Sequence, residues 1–283
     1  MEVKQRGNAF GYKVLLLIYN VFGYKLVAFI LNFVALYYLF FTPSVKKSMQ
    51  SYYEHQGLCL TNKVYFNHIK TFALSIFDRF VSRIKPQDLR FCVDNGDVMQ
   101  LLRENGGIVL LSHVGSWASA AYCLKDELPP MNIVMRENTQ ENIHKIEKSN
   151  QRDNEQSVKI IDLNQATIAT NIQIANALMD KELVALMADR IVNKNKSVEV
   201  EFLNTKVEIN KNPFEIALRV KKPLVAIFVT NHSLKKYNIT FNLIEENSIQ
   251  EMAQDYTNIL EKTIKKYPNQ WYNFFNFFKG HYN

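Results

Sequence analysis

Ile108-Val109-Leu110-Leu111-Ser112-His113-Val114-Gly115-Ser116-Trp117-Ala118-Ser119-Ala120-Ala121-Tyr122 is the stretch that decides the fold of this 283-residue chain. Gly106 and Gly107 launch a short continuous apolar run, the pattern of a strand covered on both faces. Gly115 and Ser116 punctuate the chain, and the Ala-rich sequence after them favours a helix. The reading is therefore strand, histidine-bearing turn, helix start. A histidine at the carboxyl end of such a strand stands where open α/β sheets bind their ligands. The alternative for His113 is a packed or helix-capping role.

The same alternation continues on both sides of this stretch. Upstream, Phe91 to Val93 reads as a short strand, and Asp94 to Asp97 as a turn entering a helix through Met99, Leu101 and Leu102. Downstream, strands are predicted at Asn132 to Met135, ending at Arg136, and at Val158 to Leu163. Leu183 to Ala188 is a further buried strand, terminating in Asp189-Arg190. Phe202 to Ile209 reads as a hairpin element, Pro223 to Thr230 as an apolar strand and Tyr237 to Ile244 as a more exposed, alternating one. Helices fall at Ile168 to Met179, after Pro213, and over Met252 to Ile264. Glu137 to Gln156 is nearly all polar, a solvated segment and a candidate lid. The expected architecture is α/β, a mostly parallel central sheet flanked by helices.

The N-terminal part differs in character. Lys4, Arg6 and Lys13 precede an apolar run from Val14 to Phe22, and a second run from Leu26 to Phe41 is interrupted only by Asn32 before Pro43 stops it. As a helix the second run would extend roughly 24 Å, against a hydrocarbon core of about 30 Å. It can cross with the help of its flanks or lie partly embedded; the alternative is a buried hairpin of core helices. Basic residues on both sides, Lys46 and Lys47 among them, leave the orientation undecided. No small-residue cleavage site precedes the aromatic end of the run, so a cleavable signal peptide is not expected. From Ser44 to Lys85 apolar residues recur at helical spacing, giving two amphipathic helices broken near Gly57. The expected division is an anchor over 1–43, a helical segment over 44–85 and an α/β domain over 86–283.

Composition narrows the function classes. The net charge of +7 favours acidic partners, whether anionic lipid headgroups, an acidic carrier protein or nucleic acid. The lysines and arginines are scattered among acids with no nucleic-acid recognition motif, which argues against the last. The three cysteines lie far apart, the six histidines lack ligand-like spacing, and no Gly-rich phosphate loop is present. Neither a disulfide framework nor a metal site is expected, and a reducing, cytoplasm-facing environment fits best.

Ser112-His-Val-Gly-Ser-Trp117 resembles the signature of the late acyltransferases of lipid A biosynthesis, a branch of the glycerophospholipid and lysophospholipid acyltransferase superfamily. Further features match in order: Arg136 after a strand, Asp189-Arg190 at the end of the next long one, Phe202, Pro213 to Ala217, Pro223 to Phe228, and a closing Pro268-x-Gln270-Trp271-x-Asn273-Phe274. The family pattern places an acid five residues after the histidine, and here that position is Ala118. Asn204 likewise stands where a glycine is expected.

The resemblance implies transfer of a fatty acyl chain from an acyl carrier protein or coenzyme A thioester to a hydroxyl of a lipid, glycolipid or related acceptor. No further cofactor is implied. His113 would be the general base. A methyl group at Ala118 cannot orient the imidazole, and Asp126 and Glu127 lie about 12 Å or more along a continuing helix. Asp189 is the carboxylate expected to take the missing role, with Ser116 and Ser119 as weak neutral orienters. Arg136 and Arg190 are candidate phosphate anchors, surface ion pairs being the alternative. Ser116 and Trp117 complete the candidate substrate contacts, although packing suits Trp117 better. The implied location is the bacterial inner membrane, with the catalytic domain facing the cytoplasm and membrane lipid and acyl carrier protein as partners. The competing expectation from Ala118 is a catalytically inactive homologue, acting as a lipid-binding or partner subunit.

Overall fold

The computed structural model describes residues 9–136, 158–191 and 194–279. The polar segment read as a candidate lid, Glu137 to Gln156, lies outside them. The N-terminal half opens with helices α1 (Ala9–Phe22), α2 (Tyr24–Phe41), α3 (Pro43–His55) and α4 (Asn62–Ile84). Gly23, at φ 79°, makes the elbow between the first two, and Pro43 opens α3 at the position where its missing N–H costs nothing. Thr61 caps α4 by accepting the Val64 N–H at 3.3 Å.

Strands and helices then alternate as β1 (Arg90–Asp94), α5 (Gly96–Asn105), β2 (Gly107–Leu111), α6 (Trp117–Cys123), β3 (Met131–Met135), β4 (Val158–Asp162), α7 (Thr167–Met179) and β5 (Leu183–Met187). They are followed by β6 (Ser197–Phe202), β7 (Thr205–Asn210), α8 (Asn212–Val220), β8 (Leu224–Ser233), β9 (Lys236–Leu243) and α9 (Ile249–Lys266). Seven strands form one sheet in the order β1-β9-β8-β2-β5-β3-β4, and every neighbouring pair is parallel except β8 with β9. The expected mostly parallel α/β sheet is thus present. β1 and β9 run against the other five strands.

The hairpin element read at Phe202 to Ile209 is a separate antiparallel ribbon of β6 and β7. Its two turn residues, Leu203 and Asn204, have φ of 50° and 58°. This is the left-handed pair that a tight hairpin requires, and asparagine tolerates it where the family pattern has glycine.

β2 is buried at all five positions, and its alternation sorts the core into two layers. Ile108 and Leu110 join the layer containing Phe214, Tyr256 and Leu260, under α8 and α9. Val109 and Leu111 join the one containing Tyr24, Leu31, Phe77 and Ala120, under α2, α4 and α6. Period 2 along one strand therefore sets up a helix–sheet–helix sandwich. Within the second layer Asp78 is buried and accepts hydrogen bonds from the hydroxyls of Tyr24, at 2.6 Å, and Tyr237. Burial raises its pKa to about 6 against these two donors and Lys235.

Candidate active site

Parallel register builds the site. Leu111 at the end of β2 is paired with Met187 at the end of β5, so residues two further along each strand emerge side by side. Those residues are His113 and Asp189. The imidazole Nδ1 lies 2.9 Å from Asp189 Oδ1, and the His113 backbone N–H donates to Asp189 Oδ2 at 2.9 Å. A third donor is the Trp271 indole, whose Nε1–H reaches Asp189 Oδ2 at 2.9 Å.

Asp189 is fully buried, yet its pKa is held down to about 2. Burial by itself raises it, and the His113 charge and hydrogen bond, the nearby Arg190 cation and the His113 backbone N–H outweigh that penalty. An ionised carboxylate only accepts, so Nδ1 carries the shared proton and Nε2 the free lone pair. Burial, together with the Arg190 charge, holds the His113 pKa below its ordinary 6.5 against the opposing pull of Asp189. The His113 side chain keeps 27 % of its surface accessible, enough for a reactant to reach it.

The turn carrying His113 is sewn to its surroundings through the backbone. Gly115 N–H donates to Gln270 O at 2.8 Å, Ser116 N–H to Val229 O at 2.9 Å, and Tyr272 N–H to His113 O at 2.8 Å. Val114 forms a bridge with Trp271, and Gly115 one with Val229. The C-terminal segment is thus the second wall of the site.

Arg190 donates through Nε to Asn273 Oδ1 at 2.7 Å and through Nη2 to Tyr272 O at 2.8 Å, with its guanidinium over the Phe275 ring. It ties β5 to the C-terminal wall. Burial lowers its pKa to about 10 against the Asp189 charge, so it stays a cation at neutral pH. Arg136 is exposed at the end of β3, which is separated from β2 by β5, or about 10 Å at two strand spacings. It shares the sheet edge with His113 without joining the His113–Asp189 pair. Ser116 is buried, its hydroxyl 3.3 Å from Ser75 O and 3.3 Å from Ser119 Oγ. Trp117 is half-buried against the second core layer, and Ala118 stands half-buried beside it on α6. Among the described residues no three histidine, cysteine, aspartate or glutamate side chains converge as a metal site would need.

Trp271 is the participant that sequence reasoning missed. It was visible as part of the closing aromatic motif, but only the tertiary contact shows its indole N–H aimed at the carboxylate that holds His113.

Residues 68–280 match the family model described as bacterial lipid A biosynthesis acyltransferase. No curated protein is a significant match to the chain.

Proposed function

The chain belongs to the bacterial lipid A biosynthesis acyltransferase family, and on that premise we propose that it moves a fatty acyl chain from a carrier-protein or coenzyme A thioester to a hydroxyl of a lipid or glycolipid acceptor. The observation that carries the reading is the pair His113 Nδ1–Asp189 Oδ1 at 2.9 Å, at the end of the strand that opens the family motif. Asp189 does from the neighbouring strand what an acid at position 118 would do from the helix. It fixes the tautomer and stabilises the imidazolium.

In the reaction His113 Nε2 takes the proton of the acceptor hydroxyl as that oxygen attacks the thioester carbonyl carbon. The tetrahedral intermediate collapses, the C–S bond breaks, and the departing thiolate takes its proton back from the imidazolium. Arg190 sets a positive potential beside the pair, and both arginines, Arg136 and Arg190, are the groups proposed to face substrate phosphate. Trp117, half-buried beside the turn, is proposed to contact the acceptor, and Ser116, its hydroxyl engaged by Ser75 O and Ser119 Oγ, to support that turn. The protein works at the cytoplasmic face of the bacterial inner membrane, with membrane lipid and acyl carrier protein as its partners.

The test is transfer of radiolabelled acyl groups from loaded acyl carrier protein to lipid acceptors, followed against pH. A base must be neutral to work, and the His113 pKa lies below 6.5 in the folded protein. The value of kcat/KM is therefore expected to rise with pH through an inflection below 6.5 and to be flat at neutral pH. An inflection above 7 sinks the assignment of His113 as the base. A second reading rests on Ala118: if the wild type is inert and Ala118→Glu confers transfer, the chain is a non-catalytic homologue that keeps the fold for lipid or partner binding.

A further inference from the structure

Both ends of α2 are fastened to α4. At one end the Tyr24 hydroxyl donates to Asp78 at 2.6 Å, and just past the other the Thr42 hydroxyl lies 3.3 Å from Tyr65 OH. Between them Val27, Ala28, Leu31 and Ala35 are buried, a stripe at helical spacing. The helix therefore lies antiparallel along α4 for its whole length.

The opposite face of α2 is apolar and open. Phe29 and Phe33 are 58 % and 57 % exposed, Phe40 and Phe41 70 % each, and α1 adds Phe10, Leu17 and Val21 to the same kind of surface. By length and composition α2 could cross a bilayer, with 18 residues and mean hydropathy 1.8. Its packing points elsewhere. A crossing α2 would carry α4 with it, setting Lys70 opposite the middle of the span and Lys63, Asp78 and Arg79 towards its two ends. A lysine such as Lys70 near the bilayer centre is costly, and α4 would bring the polar Asn67 and Thr71 to the same depth.

The charges around the elbow suit a lipid headgroup layer. Lys85 sits over the Tyr19 ring and Lys235 over the Tyr24 ring, at 5.1 and 5.4 Å, while Lys25, Arg90 and Lys236 are exposed. Of the nearby acids, Asp78 is buried and Asp88 is already engaged by Tyr19 and Lys235. The exposed cations Lys25, Arg90 and Lys236 beside this apolar face match an anionic headgroup layer.

We propose that α1 and α2 form an in-plane anchor: the hairpin lies along one leaflet of an anionic phospholipid membrane, its phenylalanine face at the boundary between headgroups and acyl chains, and does not cross. This rests on the reading that the protein works at a membrane, and it puts both ends of α2 on the same side.

The experiment uses the exposed Cys59, just beyond α3, as an internal reference. In a full-length Cys92→Ser, Cys123→Ser background, Asn20→Cys places a second thiol on α1, before the elbow. Membrane-impermeant maleimide is applied to intact spheroplasts and to inverted membrane vesicles. The expected result is that position 20 and Cys59 react from the same side. Reaction from opposite sides overturns the in-plane anchor and leaves the membrane reading standing, whereas a protein that does not sediment with membranes overturns both. A Phe33→Glu, Phe40→Glu variant is expected to shift from the membrane to the soluble fraction by at least tenfold with an unchanged melting temperature. Full retention on the membrane overturns the assignment of that face to lipid.

Discussion

Asp189→Asn is expected to lower turnover by about 10⁴-fold while leaving the fold in place. Asparagine fills the same volume and can still accept from the His113 and Trp271 N–H groups through one oxygen. It cannot hold the charge that stabilises the imidazolium, and its amide N–H favours the wrong tautomer, the effect that costs about 10⁴ in the serine-protease triad. That factor is about 5.4 kcal/mol of transition-state stabilisation. His113→Ala removes the base itself and is expected to fall at least as far. Two comparisons separate this from a structural defect. Without the Asp189 charge, burial and Arg190 hold His113 still more firmly neutral, so raising the pH is not expected to restore Asp189→Asn. Trp271→Phe keeps the ring against Tyr52 and Phe202 but deletes one of the three N–H donors to Asp189, and is expected to cost far less, roughly tenfold. Single-turnover rates with thermal melts on each variant decide the matter. An Asp189→Asn enzyme within tenfold of wild type would remove Asp189 from the mechanism.

The largest effect on the fold is expected from Gly115→Ala. A Cβ at this position would lie 1.7 Å from Val229 O and 2.8 Å from Val229 C, both backbone atoms of the sheet, at a φ of 61°. The left-handed backbone alone costs about 1–2 kcal/mol. The overlap cannot be relieved by a rotamer change, so the turn must leave β8, breaking the hydrogen bonds from Gly115 to Gln270 and from Ser116 to Val229. His113 and the Trp271 segment move with it. Gly57→Ala is the control, because Gly57 has a φ of 69° but nothing within 4 Å of the added atom. Gly57→Ala is expected to lower the melting temperature by a few degrees, and Gly115→Ala to give insoluble protein or a melting temperature lower by 15 °C or more. Equal shifts for the two variants would mean that the close approach of the turn to Val229 contributes nothing.

The layered α/β architecture and the succession of strands along the chain are legible in the amino-acid sequence alone. Those signals are local: a fully apolar run such as Ile108 to Leu111 has few places to go except the middle of a sheet, and glycine and proline mark where it must end. The sequence also located His113 and singled out Asp189, because strand ends in an α/β sheet collect functional groups. Pairing was another matter. That β5 lies beside β2, with Leu111 opposite Met187, depends on which strands the chain brings together across more than seventy residues, and only this register sets His113 against Asp189. The reversed direction of β1 and β9, the hold of Trp271 on the carboxylate, and the fastening of α2 along α4 are contacts of the same kind. Hydropathy says that α2 is apolar enough to enter lipid. Which of its faces is already taken by protein, and therefore how deep it can go, follows from the tertiary structure, because burial belongs to a pair of surfaces and not to either sequence alone.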